Sequence, residues 1–259
     1  MRAAAGALRV LTWNIHRGVD RRGRYDLRPI VELISRHDPD IVALQEIDSR
    51  GRGDLPIEPL AVLTQALGSH MAEARTIVAP DGHYGHALIS RWPLAPPILH
   101  DLSVRRREPR YAIETTAETA AGPIHLAAVH LGLRIGERRW QAAKLAEIAG
   151  GADALSIMLG DFNDWPWFWP WRDMVRRALA AALPGRTFHR TYPARCPLLM
   201  LDRIYCRPAD ALLRSWTDVE ARGLSDHLPV VAEIAAPPAP ATGLPKAVSG
   251  PEIDATRSR

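Results

Sequence analysis

Polar residues with strong chemical potential close or open a series of apolar runs. Asn14 follows Val10–Trp13, Glu46 ends IVALQE, His130 ends LAAVH, and Asp161 and Asn163 sit together in MLGDFN. Asp202 opens DRIYC, and Asp226 and His227 are adjacent in GLSDHLPV. Side chains at strand ends converge on one rim of a sheet, where α/β folds place their sites. The residue types fit one reaction. A hard divalent cation takes oxygen ligands, with water and substrate phosphate completing its shell; Glu46 and Asp226 could supply carboxylates and Asn14 a neutral oxygen. Phosphoester hydrolysis also needs a positioned water and donors for charge on phosphorus, tasks suited to Asp161, Asn163, His130 and His227. Asp202 could orient and charge a histidine.

These residues need a rigid frame. Short β-rich runs span 10–14, 41–46, 87–90, 124–130, 157–161, 201–206 and 230–234. Helical spacing lies between several of them: Leu27, Ile30, Val31 and Ile34; Leu60, Leu63 and Leu67; and Trp140, Leu145 and Ile148. Strands interleaved with helices, without strict alternation, predict a layered α/β or α+β fold with mixed sheets. No repeat or Gly/Ser linker divides the first 235 residues, so one domain is expected. From residue 236 the Pro-rich chain lacks an apolar period and is expected to be a disordered tail, 236–259.

Composition narrows the function classes. The 259 residues are 47% hydrophobic and 24% charged, with formal net charge +4 and mean hydropathy −0.14, values of an ordinary globular chain. Among 33 basic residues only Lys144 and Lys246 are lysines; guanidinium suits bidentate phosphate contacts, although a coding bias toward Arg and Ala explains the count equally well. Cys196 and Cys206, without a CxxC, suggest neither a disulfide framework nor a structural zinc site. No apolar run reaches signal or transmembrane length, so a cytoplasmic protein is expected. Ser90 and Ser225 lack a nucleophile-elbow context, His83 and His86 read as a loop and a strand start, and no Walker A or GxGxxG pattern occurs.

LTWNI, DIVALQE, HALISRWPL, AAVHL, MLGDFN, LDRIY and GLSDHLPV, in that order, resemble the endonuclease/exonuclease/phosphatase superfamily of deoxyribonuclease I-like metal-dependent phosphoesterases. The resemblance implies a domain over residues 8–235: a four-layer sandwich of two mixed β-sheets packed face to face and flanked by helices. It implies hydrolysis of a phosphodiester by in-line attack of water, with magnesium or manganese held by Glu46, Asn14 and Asp226. Asp161 would align or deprotonate the water, and Asn163 would hold the scissile phosphate. His227, paired with Asp202, would contact a phosphate oxygen or shuttle a proton, with His130 on the other side. REPRYAI places Arg110 at a phosphate contact; a solvated arginine run with Tyr111 in the core is the competing account. Arg138 and Gln141 would pack or orient the loop after His130. His16 stands where some nuclease members have a further acidic residue, which puts a second metal ligand there in doubt.

DWPWFWPWRDMVRR directly follows MLGDFN and concentrates Trp165, Trp167, Trp169 and Trp171. It reads as a core-packing loop, a base-stacking surface, an apolar wall, or a peripheral membrane contact beside arginines. The expected partner is therefore a nucleic acid or a phospholipid. A nuclease is the first reading, a phospholipid or inositol-lipid phosphoesterase the second, and a non-catalytic binding module the third.

Overall fold

A computed structural model describes residues 6–51, 58–151, 155–165 and 174–236. The expected tail from residue 237, and Trp167, Trp169 and Trp171, lie outside the described residues. The strands are β1 (Ala7–Asn14), β2 (Ile41–Asp48), β3 (His70–Ala79), β4 (Gly82–Ser90), β5 (Ile98–Asp101), β6 (Tyr111–Thr119), β7 (Gly122–His130), β8 (Ser156–Asp161), β9 (Gly185–Arg186), β10 (Asp202–Arg207), β11 (Leu212–Thr217) and β12 (Val230–Ala235). The α-helices are α1 (Arg28–His37), α2 (Pro59–Leu67), α3 (Ile135–Gly150) and α4 (Met174–Leu179). Among the described residues none is long and apolar enough to cross a membrane.

The strands form two six-stranded sheets, ordered β11-β12-β1-β2-β4-β3 and β5-β6-β7-β8-β10-β9. Each contains one parallel pair, β1/β2 and β7/β8, among antiparallel neighbours. A parallel pair needs a crossover; α1 lies in the first and α3 in the second. Alternation along a strand divides its side chains between two faces. Leu8 and Val10 of β1, with Ile41 and Ala43 of β2, meet Leu126, Ala128, Ile157 and Leu159 between the sheets. The alternate residues Leu11, Trp13, Val42 and Leu44 pack outward against Ile30, Leu33 and Ile34 of α1. On the other outer face Ala127, Val129 and Met158 meet Leu145 and Ile148 of α3 and Val175 and Leu179 of α4. The four-layer sandwich is thus present, with both faces of the central strands covered.

Two local expectations are corrected. Trp140 does not mark the packed face of α3: it is 42% exposed, and the face instead buries Arg138, Gln141, Ala142, Leu145 and Ile148. His83 and His86 both lie within β4 and are buried.

Candidate active site

Strand direction collects the chemistry on one rim. Asn14, His130 and Asp161 terminate β1, β7 and β8, and Glu46 lies near the end of β2. β10 runs antiparallel to β8 and sets Asp202 opposite Asp161. β12 runs antiparallel to β1, pairing Val230 with Thr12, so Asp226 and His227, just ahead of it, return to the same rim. Asn14, Glu46, Arg110, His130, Asp161, Asn163, Asp226 and His227 all line a cavity of about 610 Å³.

Local backbone devices aim two of these side chains. Glu46 has φ 59° and Asn163 φ 48°, left-handed conformations that cost a non-glycine residue roughly 1–3 kcal/mol and cluster at functional sites. Glu46 sits where the β2/β4 register shifts between Leu44 and Ile47, and such a bulge redirects a side chain. Between them, Gly160 is required by close approach: at φ 151° a Cβ would lie 2.0 Å from the Val129 carbonyl oxygen.

Hydrogen bonds join the two sheets. Asn14 Nδ2 donates to Glu46 Oε1 at 2.9 Å and to Asp161 Oδ2 at 3.2 Å, while its Oδ1 accepts from His16 N at 3.1 Å. Asn163 N donates to Asp161 Oδ1 at 2.9 Å, and Asn163 Nδ2 to the Leu131 carbonyl at 3.0 Å. His227 Nδ1 lies 2.8 Å from Asp202 Oδ2, and its Nε2 lies 3.9 Å from Asp161 Oδ2. His130 Nε2 approaches the same Asp161 oxygen at 3.7 Å. Ser225 is a positioning residue: its hydroxyl donates to the Asn14 carbonyl at 2.7 Å and accepts from His227 N at 3.1 Å.

Burial separates the charge states. Asp161 is 1% exposed; burial and the neighbouring Asp202 charge push its carboxyl up to about 6, against the opposing pull of His227. For His227 burial disfavours the cation, but the Asp202 and Asp161 carboxylates prevail and raise the imidazole to about 10. Burial and the Arg110 charge hold His130 well below the ordinary histidine range, so it is neutral. Asp226 is pushed up by burial, yet its bond to His16 and the nearby imidazole charges leave it below the usual carboxylate range.

Several site features had no signal in the motifs. Asp226 binds His16 Nδ1 at 2.8 Å, so the histidine at the departing position serves a carboxylate partner. Arg17, Arg50, Tyr84, Leu133, Tyr192 and Leu199 also line the cavity, and they come from loops or from β4, whose spacing carries no chemistry. Arg110 is buried and pairs with Glu108, while Tyr111 is half-buried against the inter-sheet core. Arg138 Nη1 donates to the Leu133 carbonyl at 2.6 Å, and Gln141 bridges Gly132 N and the Leu102 carbonyl, each at 2.9 Å. Both fix the loop after His130. Trp165 is 39% exposed at the cavity edge, with the Arg138 guanidinium 5.6 Å from its ring centroid.

Ligand atoms of Asp161, Asp202 and His227 lie within 4.8 Å of one another, close enough to hold a metal ion. Asp202 Oδ1 is buried without a hydrogen-bond partner. Glu46 and Asp226 add two less buried carboxylates in the same cavity. The donor set is rich in anionic oxygen and fits a hard divalent cation.

Comparison with known proteins agrees with this geometry. The pattern of the Endonuclease/Exonuclease/phosphatase family matches residues 11–227. The uncharacterized protein YbhP of Escherichia coli strain K12 is 35% identical over 261 residues, covering 88% of this chain and 96% of YbhP. An endonuclease/exonuclease/phosphatase from Beutenbergia cavernae superposes with TM-score 0.72 at 23% identity, covering 91% of this chain and 73% of that one. An AP endonuclease from Archaeoglobus fulgidus superposes with TM-score 0.60 at 19% identity over 88% of this chain and 99% of its own. These two solved structures share the fold. With the family pattern spanning the rim residues from β1 to His227, the chain belongs to the endonuclease/exonuclease/phosphatase family.

Proposed function

We propose that this protein is a divalent-metal-dependent phosphodiesterase, acting on nucleic acid by direct attack of water on phosphorus. The observation that carries the reading is His227, held between Asp202 and Asp161 and lining the cavity that also presents Asn163 and Arg110. Asp161, as the carboxylate, aligns the water and takes its proton as the new P–O bond forms. His227, as the imidazolium, keeps one N–H on Asp202 and offers the other to the phosphate or to the leaving oxygen as the old P–O bond breaks. Asn163 retains one amide hydrogen beyond its bond to Leu131, and Arg110 supplies positive charge at the wall. Neutral His130 donates or accepts a hydrogen bond without adding charge.

The cation belongs at Glu46 and Asp226, with Asn14 orienting Glu46. His227 Nδ1 and Asp202 Oδ2 already engage each other at 2.8 Å, which disfavours the tighter Asp161–Asp202–His227 cluster. Bound there, magnesium or manganese would neutralise phosphate charge and make water more acidic.

Hydrolysis of bis(p-nitrophenyl) phosphate with magnesium tests the reading, with the monoester and a chelator as controls. The diester is expected to be hydrolysed faster than the monoester and not at all with chelator. In calorimetry Glu46→Gln is expected to weaken magnesium binding by at least about tenfold, as loss of a ligating charge should, whereas Asp202→Asn should not. Metal-independent turnover, or the reverse order of the two variants, contradicts the assignment.

A second reading, a phospholipid phosphodiesterase, draws on Leu133, Trp165 and Leu199, which add apolar surface to the cavity lining. Release of a soluble headgroup from mixed vesicles, with no cleavage of plasmid or oligonucleotide, would favour it.

A further inference from the structure

The connection between β5 and β6 carries Arg105, Arg106 and Arg107 in succession, all exposed. None of these side chains makes an ion pair or hydrogen bond among the described residues. Elsewhere Arg24, Arg28, Arg36, Arg91 and Arg214, which do not line the cavity, each hold a carboxylate; the exposed Arg21, Arg22, Arg195 and Arg222 make no ion pair among the described residues, but none of them belongs to a run of three. The acids nearest the triplet in sequence are already engaged: Glu108 pairs with Arg110, and Asp101 Oδ1 accepts from Ser103 N at 2.8 Å. The triplet sits in a turn closed by Arg107 N on the Val104 carbonyl at 3.0 Å. Three successive exposed arginines thus share one turn without an ion-pair partner among the described residues.

The same connection runs straight into the catalytic wall, because Glu108 and Arg110 line the cavity. Three residues of chain span at most about 10 Å, so the Arg107 backbone stands within that distance of Arg110. Successive phosphates along one strand of a duplex are spaced by about 3.4 Å of axis. A strand with its scissile phosphate in the cavity therefore brings further phosphates within reach of the triplet.

We propose that Arg105, Arg106 and Arg107 form a second phosphate-binding site, outside the catalytic cavity, for the backbone of a nucleic-acid strand. The assignment rests on the phosphodiesterase reading and extends it to a substrate with several phosphates. A membrane surface is the weaker fit for this turn: interfacial segments set exposed apolar side chains beside their cations, whereas within the turn Leu102 is buried and Val104 partly so, and the exposed Ile98 and Leu99 lie back along β5.

The test compares wild type with a triple variant, Arg105→Gln, Arg106→Gln and Arg107→Gln. Binding of a short labelled DNA duplex is followed by anisotropy between about 50 and about 200 mM salt, alongside turnover of bis(p-nitrophenyl) phosphate. The variant is expected to bind DNA at least about tenfold more weakly and to reduce the log–log salt slope by about 2–3, one unit for each lost phosphate contact. Turnover of the small diester is expected to be unchanged. Equal DNA affinity and slope in the two proteins would overturn the second site, as would parallel loss of DNA binding and small-diester turnover. Triplet-dependent sedimentation with phosphatidylglycerol vesicles, without DNA binding, would also overturn it and assign the patch to lipid. Triplet-dependent DNA binding by a protein that hydrolyses no diester would keep the site and reject the phosphodiesterase reading.

Discussion

Asp161→Asn is expected to lower phosphodiester turnover roughly 10²–10⁴-fold, the range for loss of a positioned general base, while the thermal midpoint holds or rises. The substitution keeps the side-chain size and can keep an acceptor for Asn163 N, which now bonds Asp161 Oδ1 at 2.9 Å. It removes the carboxylate that receives the water proton and sets a second amide against Asn14. Stability moves differently because this carboxyl is held against its preference: burial and Asp202 push it up to about 6. Removing one of two adjacent buried acids relieves that repulsion, as when a functional group is strained for its task. Steady-state kinetics and a thermal melt on the same preparation check both halves. A fall in activity matched by a large fall in midpoint would mean that Asp161 is a structural residue.

Asp202→Asn is expected to change the pH dependence of the reaction and to cost roughly 10²–10⁴-fold where His227 loses its proton. Burial alone drives the His227 imidazole down, and Asp202 is the largest of the influences that raise it to about 10. In the wild type the imidazolium is expected to persist until pH approaches that value, which sets the expected alkaline limb of turnover near pH 10. Without the Asp202 carboxylate, burial gains weight and the proton leaves at lower pH, so the alkaline limb moves down. The pH–kcat profile reads the shift, and a merely structural role for Asp202 would lower the plateau without moving the limb. Toward acid, turnover is expected to fall as Asp161 takes up its proton near pH 6.

The central strands were legible because they are buried on both faces. β1, β2, β7 and β8 read as continuous apolar runs ending in Asn14, Glu46, His130 and Asp161, and each is present close to its expected bounds. The strands without a clear signal were β3, β5, β6, β9 and β11. Four of these are the outer edges of the two sheets, where exposed and charged side chains replace apolar alternation. In β3 the inward positions are only Ala72 and Ala74, too small to mark a strand. β6 turns Glu114 toward His100 and His125 on its neighbours, at 2.5 and 2.8 Å, which reads as a polar stretch. At the site, type and motif identified the residues of the rim. They could not reveal that Asn14 bonds Glu46 and Asp161 together, that Ser225 ties Asn14 to His227, or that Arg17 and Arg50 join the wall. Those facts depend on how the two sheets face each other, which local sequence does not encode.

The stereochemical course at phosphorus tests the proposed chemistry most directly. Hydrolysis of a P-chiral phosphorothioate diester with magnesium in oxygen-18 water, which leaves the product chiral at phosphorus, should proceed with inversion of configuration, because one displacement by water, aligned by Asp161 and assisted by His227, exchanges entering and leaving oxygens across the phosphorus. Retention would require two displacements through a covalent enzyme intermediate and would contradict the mechanism.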